Sequence, residues 1–220
     1  MIKATYIDHM GSDLSVVNAA RVSFGKNHKE FDGHRDAKLI SYLANHEHLS
    51  PFGHCFASFH VKAPIFVARQ LVKHKFLRWN EISRRYVDEE PEFYLPDVWR
   101  GRSADKKQGS SDEVIPKISV KNYGEPWEGK TGSVVDAYVG ETALLYESLI
   151  EAGVAPEQAR MVLPQSTMTE WYWSGSLDAF ASMCNLRLKP DTQYESRLVA
   201  EQISEIMTGL FPVSWKALVP

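Results

Sequence analysis

The chain has 220 residues, 44% of them hydrophobic and 24% charged, enough to bury one core as a single domain. A net charge of −3 argues against a general nucleic-acid binder, which normally carries a basic balance, and no apolar run is long enough to span a bilayer. The first ten residues, MIKATYIDHM, lack the apolar stretch of a secretory leader, so a cytoplasmic protein with no membrane partner is expected.

In chain order, Ser12 or Asp13 starts a helix to about Phe24, and a second helix spans about Asp36 to Asn45. Cys55 to Lys62 alternates apolar and polar residues as a half-buried strand does. Pro64 then opens a helix at its first position, with Ile65, Phe66, Ala68, Leu71 and Val72 as its apolar face; the pattern carries this helix through Lys73 and His74. Tyr86 to Leu95 reads as extended, confined to an edge or a break by Pro91. Residues 101–131 are polar and rich in Gly, Ser and Lys, and are expected to form a loop or lid within one domain covering 1–220. Val134 to Ala152 reads as a long helix with Val135, Val139, Ala143, Tyr146 and Ile150 as apolar positions and Gly153 as its stop. Pro156 starts a short helix carrying Arg160, Thr167 to Trp173 is strand-like, and Leu177 to Leu188 and Asp191 to Leu210 are helices separated by Pro190. Helices and strands intermix without regular alternation. The expected class is therefore α+β, a single domain of mixed helices with an antiparallel-rich sheet. No GxGxxG follows a strand, so a Rossmann dinucleotide site is not supported.

The richest stretch is KHKFLRWNEISRRY (73–86), which packs cations, amide, hydroxyl and carboxylate together. Just before and within it, Arg69 and Lys73 are four apart, as are Gln70 and His74, which sets two polar stripes side by side on the expected helix. A helix C-terminus carries negative partial charge, so the attraction for a phosphate there must come from side chains: Lys73, Lys75, Arg78, Arg84 and Arg85 are available. Basic residues in a last helical turn also serve simply to match the dipole. What favours a phosphorylated ligand is the mixture, because Asn80, Glu81, Ser83 and Tyr86 add groups suited to sugar hydroxyls and base edges. Cys55 and Cys184 sit in apolar segments with no CxxC pair, so neither a metal site nor a disulfide framework is indicated, and neither has the polar setting that lowers a thiol pKa. Ser83 as a nucleophile has no sequence neighbour to serve as base beyond His74.

KHKFLRWNEISRRY resembles the signature of the flavin-dependent thymidylate synthases (ThyX), which reads Arg-His-Arg, seven residues, Ser, and closes with Asn-Glu-x-Ser-x-Arg-Tyr; Asn80, Glu81, Ser83, Arg85 and Tyr86 fit it. The likeness extends to DLSVVNAARVSF (13–24), HEHLSPFGHCFASFHVKAPIFVARQ (46–70), ARMVLPQSTMTEWYWSGSLDAFASMCNLRL (159–188) and Gln193-x-Glu195-x-Arg197, leaving out about 95–130. Lys73 and Lys75 replace the signature's two arginines, keeping charge without the bidentate fork, and Arg78 stands where serine is common. Gly53, Ser176, Asp178, Ser182 and Asp191 also depart from the usual residues.

The resemblance implies that Gln70, Glu81, Ser83, Arg85, Arg160 and Arg187 surround deoxyuridine monophosphate (dUMP). It implies that Ser50, Lys73, His74, Lys75, Ser182 and Leu186 contact FAD, and that Arg187, Ser83 and His48 are the candidate catalytic residues. A guanidinium at Arg187 against a base carbonyl would stabilise the charge that develops as C5 becomes nucleophilic. The implied activity is transfer of a one-carbon unit from methylenetetrahydrofolate to dUMP, giving dTMP, with FAD as hydride carrier, NADPH as reductant and no enzyme nucleophile. The implied assembly is a homotetramer with shared active sites. The alternatives are a related modification such as hydroxymethyl transfer to dUMP or dCMP, and non-catalytic nucleotide or RNA binding.

Overall fold

The computed structural model describes every residue except 88, 105–108 and 122–123. Its centre is a four-stranded sheet of β1 (Lys3–Met10), β2 (Phe56–Pro64), β3 (Leu77–Glu81) and β8 (Met168–Ser176) in the order β1-β2-β8-β3, every pair antiparallel. Alternation sorts its two faces. Ala57, Phe59, Val61, Ala63, Trp171 and Trp173 point into the core. There Trp79 of β3 stacks on Trp171 with ring centres 4.3 Å apart, and Phe180 meets Phe59 and Trp173 edge-on. The opposite face is polar: Ser58 and Ser174 hydroxyls lie 2.8 Å apart, and His60 Nε2 is 3.0 Å from Glu170.

Helices α1 (Asp13–Arg21), α2 (Arg35–Asn45), α6 (Leu177–Arg187), α7 (Tyr194–Leu210) and α8 (Pro212–Leu218) close the core, burying Val16, Ile40, Phe180, Ile203 and Trp215. The helix α8 is absent from the sequence expectations. Its N-terminus is held by Asp13, whose carboxylate accepts the backbone N–H of Val213 at 3.0 Å and of Ser214 at 2.9 Å. β1 also goes unanticipated, because at the sheet edge Ala4 is its one buried residue and no alternation shows. The long helix is α4 (Thr131–Glu151), which starts three residues before the expected Val134, and Gly153 ends it at φ +81°. α5 (Pro156–Ala159) leads into a 3-10 turn at Arg160–Val162.

Segment 101–131, expected as a loop or lid, carries parts of two short hairpins, β4 (Arg100–Arg102) with β5 (Ser110–Val114) and β6 (Lys117–Val120) with β7 (Trp127–Lys130); its residues 105–108 and 122–123 lie outside the described residues.

The motif region differs from expectation. Pro64 is the last residue of β2 and the N-cap, at ψ 154°, and α3 (Ile65–Leu71) ends with Val72 as C-cap. Lys73 and His74 therefore lie in the turn after the helix, where the chain reverses through Phe76 at φ +64° to enter β3. Inside that strand Leu77 and Trp79 pack on the core. Among the described residues of 86–95 no strand forms; Phe93 makes a single bridge to Thr167.

Candidate active site

Two clefts flank α3. The first, about 950 Å³, is lined by Ala68 and Arg69 of α3, its C-cap Val72, the end of β3, the turn after it, and Glu157 to Gln165 in part. It brings together Glu81, Ser83, Arg85 and Arg160. Glu81 follows Trp79 on the same face at the end of β3, is exposed, and lines the cleft. There it accepts the Thr169 hydroxyl at 2.7 Å and Trp79 Nε1–H at 3.1 Å. Ser83 Oγ accepts Arg85 Nε–H at 3.1 Å, and Arg85 lies over the Tyr86 ring at 5.0 Å. Arg160 Nε–H donates to the Glu157 carbonyl at 3.3 Å. Arg69, Arg84, Arg85 and Arg160 against Glu81 and Glu157 leave this cleft with an excess of positive charge, suited to a phosphate.

The second cleft, about 630 Å³, holds Gln70, Lys73 and Arg187 together with Arg100, Gln193 and Glu195. Arg187, at the C-terminus of α6, donates Nε–H to His74 Nε2 at 3.0 Å and Nη2–H to the Gln70 carbonyl at 3.2 Å. Because a guanidinium has no acceptor, His74 Nε2 is the unprotonated ring nitrogen. Burial, and then the Arg187 charge, push His74 down to about 4, so the imidazole is neutral. Burial also lowers Arg187.

The six expected nucleotide residues are thus divided. Glu81, Ser83, Arg85 and Arg160 face one cleft, while Gln70 and Arg187 face the other, with α3 between them. Of the residues expected to contact FAD, Lys73 lines the second cleft and His74 adjoins it through Arg187. Lys75, Ser182 and Leu186 are exposed and line neither cleft. His48 and Ser50 lie in the exposed loop after α2, where the His48 ring sits 6.1 Å from Tyr42 and 6.2 Å from His46. Sequence reasoning passed over Thr169 and Gln165 in the first cleft and Arg100 in the second. Gln165 and Thr169 fall inside a stretch that carried the resemblance, whereas Arg100 comes from the segment that no pattern covered.

Neither cysteine is poised as a nucleophile. Burial pushes the Cys55 thiol up to about 11 and raises Cys184 still further, so both stay protonated. His74, the one base suggested for Ser83, is committed to Arg187 in the other cleft.

The family model for thymidylate synthase complementing protein matches residues 5–213. The flavin-dependent thymidylate synthase of Thermus thermophilus is 39% identical over 211 residues, covering 96% of this chain and 73% of the relative. That of Thermosipho africanus is 37% identical over 213 residues, covering 97% and 89%. Among solved structures, the UMP/dUMP methylase PolB from Streptomyces cacaoi bound with 5-Br dUMP has a TM-score of 0.82 at 32% identity, covering 99% of this chain and 94% of that one. With a family model spanning nearly its whole length and relatives more than a third identical, the chain belongs to the flavin-dependent thymidylate synthase family.

Proposed function

We propose that this protein methylates dUMP to dTMP as a flavin-dependent thymidylate synthase, with FAD as cofactor, methylenetetrahydrofolate as one-carbon donor and NADPH as reductant. We place it in the cytoplasm, as a homotetramer whose active sites are each completed by a second copy of the chain. The observation that supports this reading is the division of the nucleotide set: Glu81, Ser83, Arg85 and Arg160 line one cleft and Gln70 and Arg187 the other, so a nucleotide held by all six draws on two copies. Val72, Phe76, Ile82, Tyr86, Met161 and Leu186 are large apolar residues left exposed around the motif, which supports a second copy covering this region.

In this reading Arg85 and Arg160 neutralise the 5′-phosphate, Ser83 donates to it, and the Glu81 carboxylate accepts from a sugar hydroxyl. Arg187, from the other copy, sets its guanidinium against a carbonyl of the base. Its donors are pre-aimed by His74 and the Gln70 carbonyl, so little reorganisation accompanies the growth of negative charge on the ring. A guanidinium, with its delocalised charge and weaker hydration, suits this partly buried contact better than an ammonium would. The flavin-contact set fits a dinucleotide in its chemistry: Lys73 and Lys75 are exposed cations for a pyrophosphate, and Ser182 and Leu186, four apart on α6, present a hydroxyl and an apolar surface side by side. FAD, when bound, supplies the hydride that converts the transferred methylene to a methyl group. The protonated thiols support a reaction without an enzyme nucleophile.

A second reading takes UMP as well as dUMP. It rests on the likeness to PolB, described as a UMP/dUMP methylase and solved also with 5-Br UMP at a TM-score of 0.76. The test is one experiment: flavin-loaded protein incubated with methylenetetrahydrofolate, NADPH and either nucleotide, with the product identified by mass spectrometry. Methylated dUMP supports the first reading, methylated UMP adds the second, a hydroxymethyl product redirects both, and no product from a flavin-loaded protein overturns them.

A further inference from the structure

The second cleft contains a chain of hydrogen bonds that direct ligand contact does not account for. Arg100, on β4, donates from Nη2 to Glu195 Oε1 at 2.6 Å and from Nε to Ser110 Oγ on β5 at 2.8 Å, and its guanidinium carbon stands 4.5 Å from the centre of the Tyr194 ring. Glu195 is only 4% exposed, and its second oxygen accepts Gln193 Nε2–H at 3.3 Å. Gln193 Oε1 in turn accepts from Gln70 Nε2–H, while Gln70 Oε1 accepts the Ser196 hydroxyl at 3.2 Å.

Every link along this path has one polarity. A guanidinium only donates and a carboxylate only accepts. Glu195 therefore fixes Gln193 with its NH₂ toward the carboxylate and its carbonyl toward Gln70, and this in turn fixes Gln70 with its NH₂ toward Gln193. A side-chain amide left alone has two flips of similar energy, and here one of them is excluded. The hairpin that delivers Arg100 is itself seated closely: Gly109 has φ +87°, and a Cβ built there would stand 2.9 Å from the Asp191 carbonyl oxygen. A charge pair whose only task was to fasten the hairpin would not need the second Glu195 oxygen committed to the glutamine that orients Gln70.

We propose that Arg100 and Glu195 are positioning residues for nucleotide binding, which hold the Gln70 amide in one orientation through Gln193 and make that orientation depend on the docked β4–β5 hairpin. The inference rests on the reading, above, that Gln70 contacts the nucleotide. Arg100 lines the same cleft but directs Nε–H to Ser110 and Nη2–H to Glu195, so in this proposal it acts on the ligand through Glu195 and its loss is felt in affinity more than in turnover.

The test is dUMP titration of the flavin-loaded protein, followed by the absorption change of the bound flavin, with flavin content, thermal midpoint and steady-state KM and kcat measured in parallel. Glu195→Gln and Arg100→Ala each weaken dUMP binding about tenfold, raising KM far more than they lower kcat, with flavin content unchanged. Arg100→Lys recovers most of the affinity, because it restores a donor to Glu195. Gly109→Ala, which alters no side chain of the chain of hydrogen bonds but displaces the hairpin that carries Arg100, reproduces the loss even if Glu195→Gln should fold poorly. In the Gln70→Ala background, Glu195→Gln has no further effect. Losses that add in the double variant, or Gln70→Ala weakening dUMP while Glu195→Gln and Arg100→Ala do not, overturn the positioning role and leave the Gln70 contact standing. Gln70→Ala binding dUMP like the unaltered enzyme overturns the contact itself, and the positioning role with it.

Discussion

The division of the nucleotide set across α3 can be read out as a fraction of restored activity. Arg85→Ala disables the first cleft and Arg187→Ala the second. Each homo-oligomer loses one charge-assisted contact at every site, a loss on the order of 10²-fold or more for a group that stabilises developing charge. Co-expressed in equal amounts with different tags, the two variants assemble at random. Where a site draws its first-cleft half from one copy and its second-cleft half from another, both halves are intact with a probability of about one in four in a symmetric assembly. Tandem-purified heteromers should then turn over at about a quarter of the unaltered rate, at least twenty-fold above either parent by the same estimate. If all six residues served one nucleotide within one chain, no site in the mixture would be whole. Heteromers recovered through both tags yet no faster than the parent variants would refute the two-copy site.

Two other outcomes follow from the titrating groups. His74 is held down to about 4 from an ordinary 6.5, so the unfolded chain binds a proton that the folded chain refuses; stability is full above about 6.5 and is lost as pH falls to about 4. The shift corresponds to at most about 3 kcal/mol, reduced to roughly 1–2 by the partial exposure of the ring. The denaturant midpoint of the unaltered protein, at fixed concentration and saturating flavin, should therefore fall relative to His74→Gln across that window, since glutamine accepts the Arg187 N–H without taking a proton; a constant difference between the two would show that His74 is not the neutral acceptor. The Cys55→Ala/Cys184→Ala double variant should keep its turnover within about twofold, because neither thiol ionises at neutral pH, while losing about 2 kcal/mol or more of stability from buried side-chain volume. Loss of product from a folded, flavin-loaded double variant would reinstate a thiol nucleophile.

What could be read in the sequence, and what could not, follows the range of the forces involved. α1, α2, α4, α6, α7, β2 and β8 are visible because their burial repeats along the chain with the period of the element. α8 is not, since seven residues carry little period and the group that caps it, Asp13, lies about two hundred positions away. β3 is hidden for a different reason: Leu77 and Trp79 are two inward residues set among charges, in a stretch whose composition invites a ligand-binding reading instead of a strand. Several of the residues that line the clefts were legible one by one, but not how they divide between them. Arg69 and Gln70 are neighbours, yet about 100° of helical rotation between them sends one to each cleft.

The early end of α3 has the same effect on the whole motif. Had the helix run on through His74, Lys73 would have continued the Arg69 stripe and faced the first cleft beside the arginines. Instead the helix stops at Leu71, the chain turns back through Phe76, and one short segment passes around the end of α3, with Lys73 and His74 on the Arg187 side and Ser83 and Arg85 on the other. A motif wrapped in this way borders two clefts, and in the proposed two-copy assembly it would serve two active sites at once. In that assembly, subunit contact and nucleotide binding would draw on the same fourteen residues, so a substitution that loosens the turn at Phe76 displaces groups in both clefts together, whereas Arg100 or Arg160, each anchored to a different element, reaches only one.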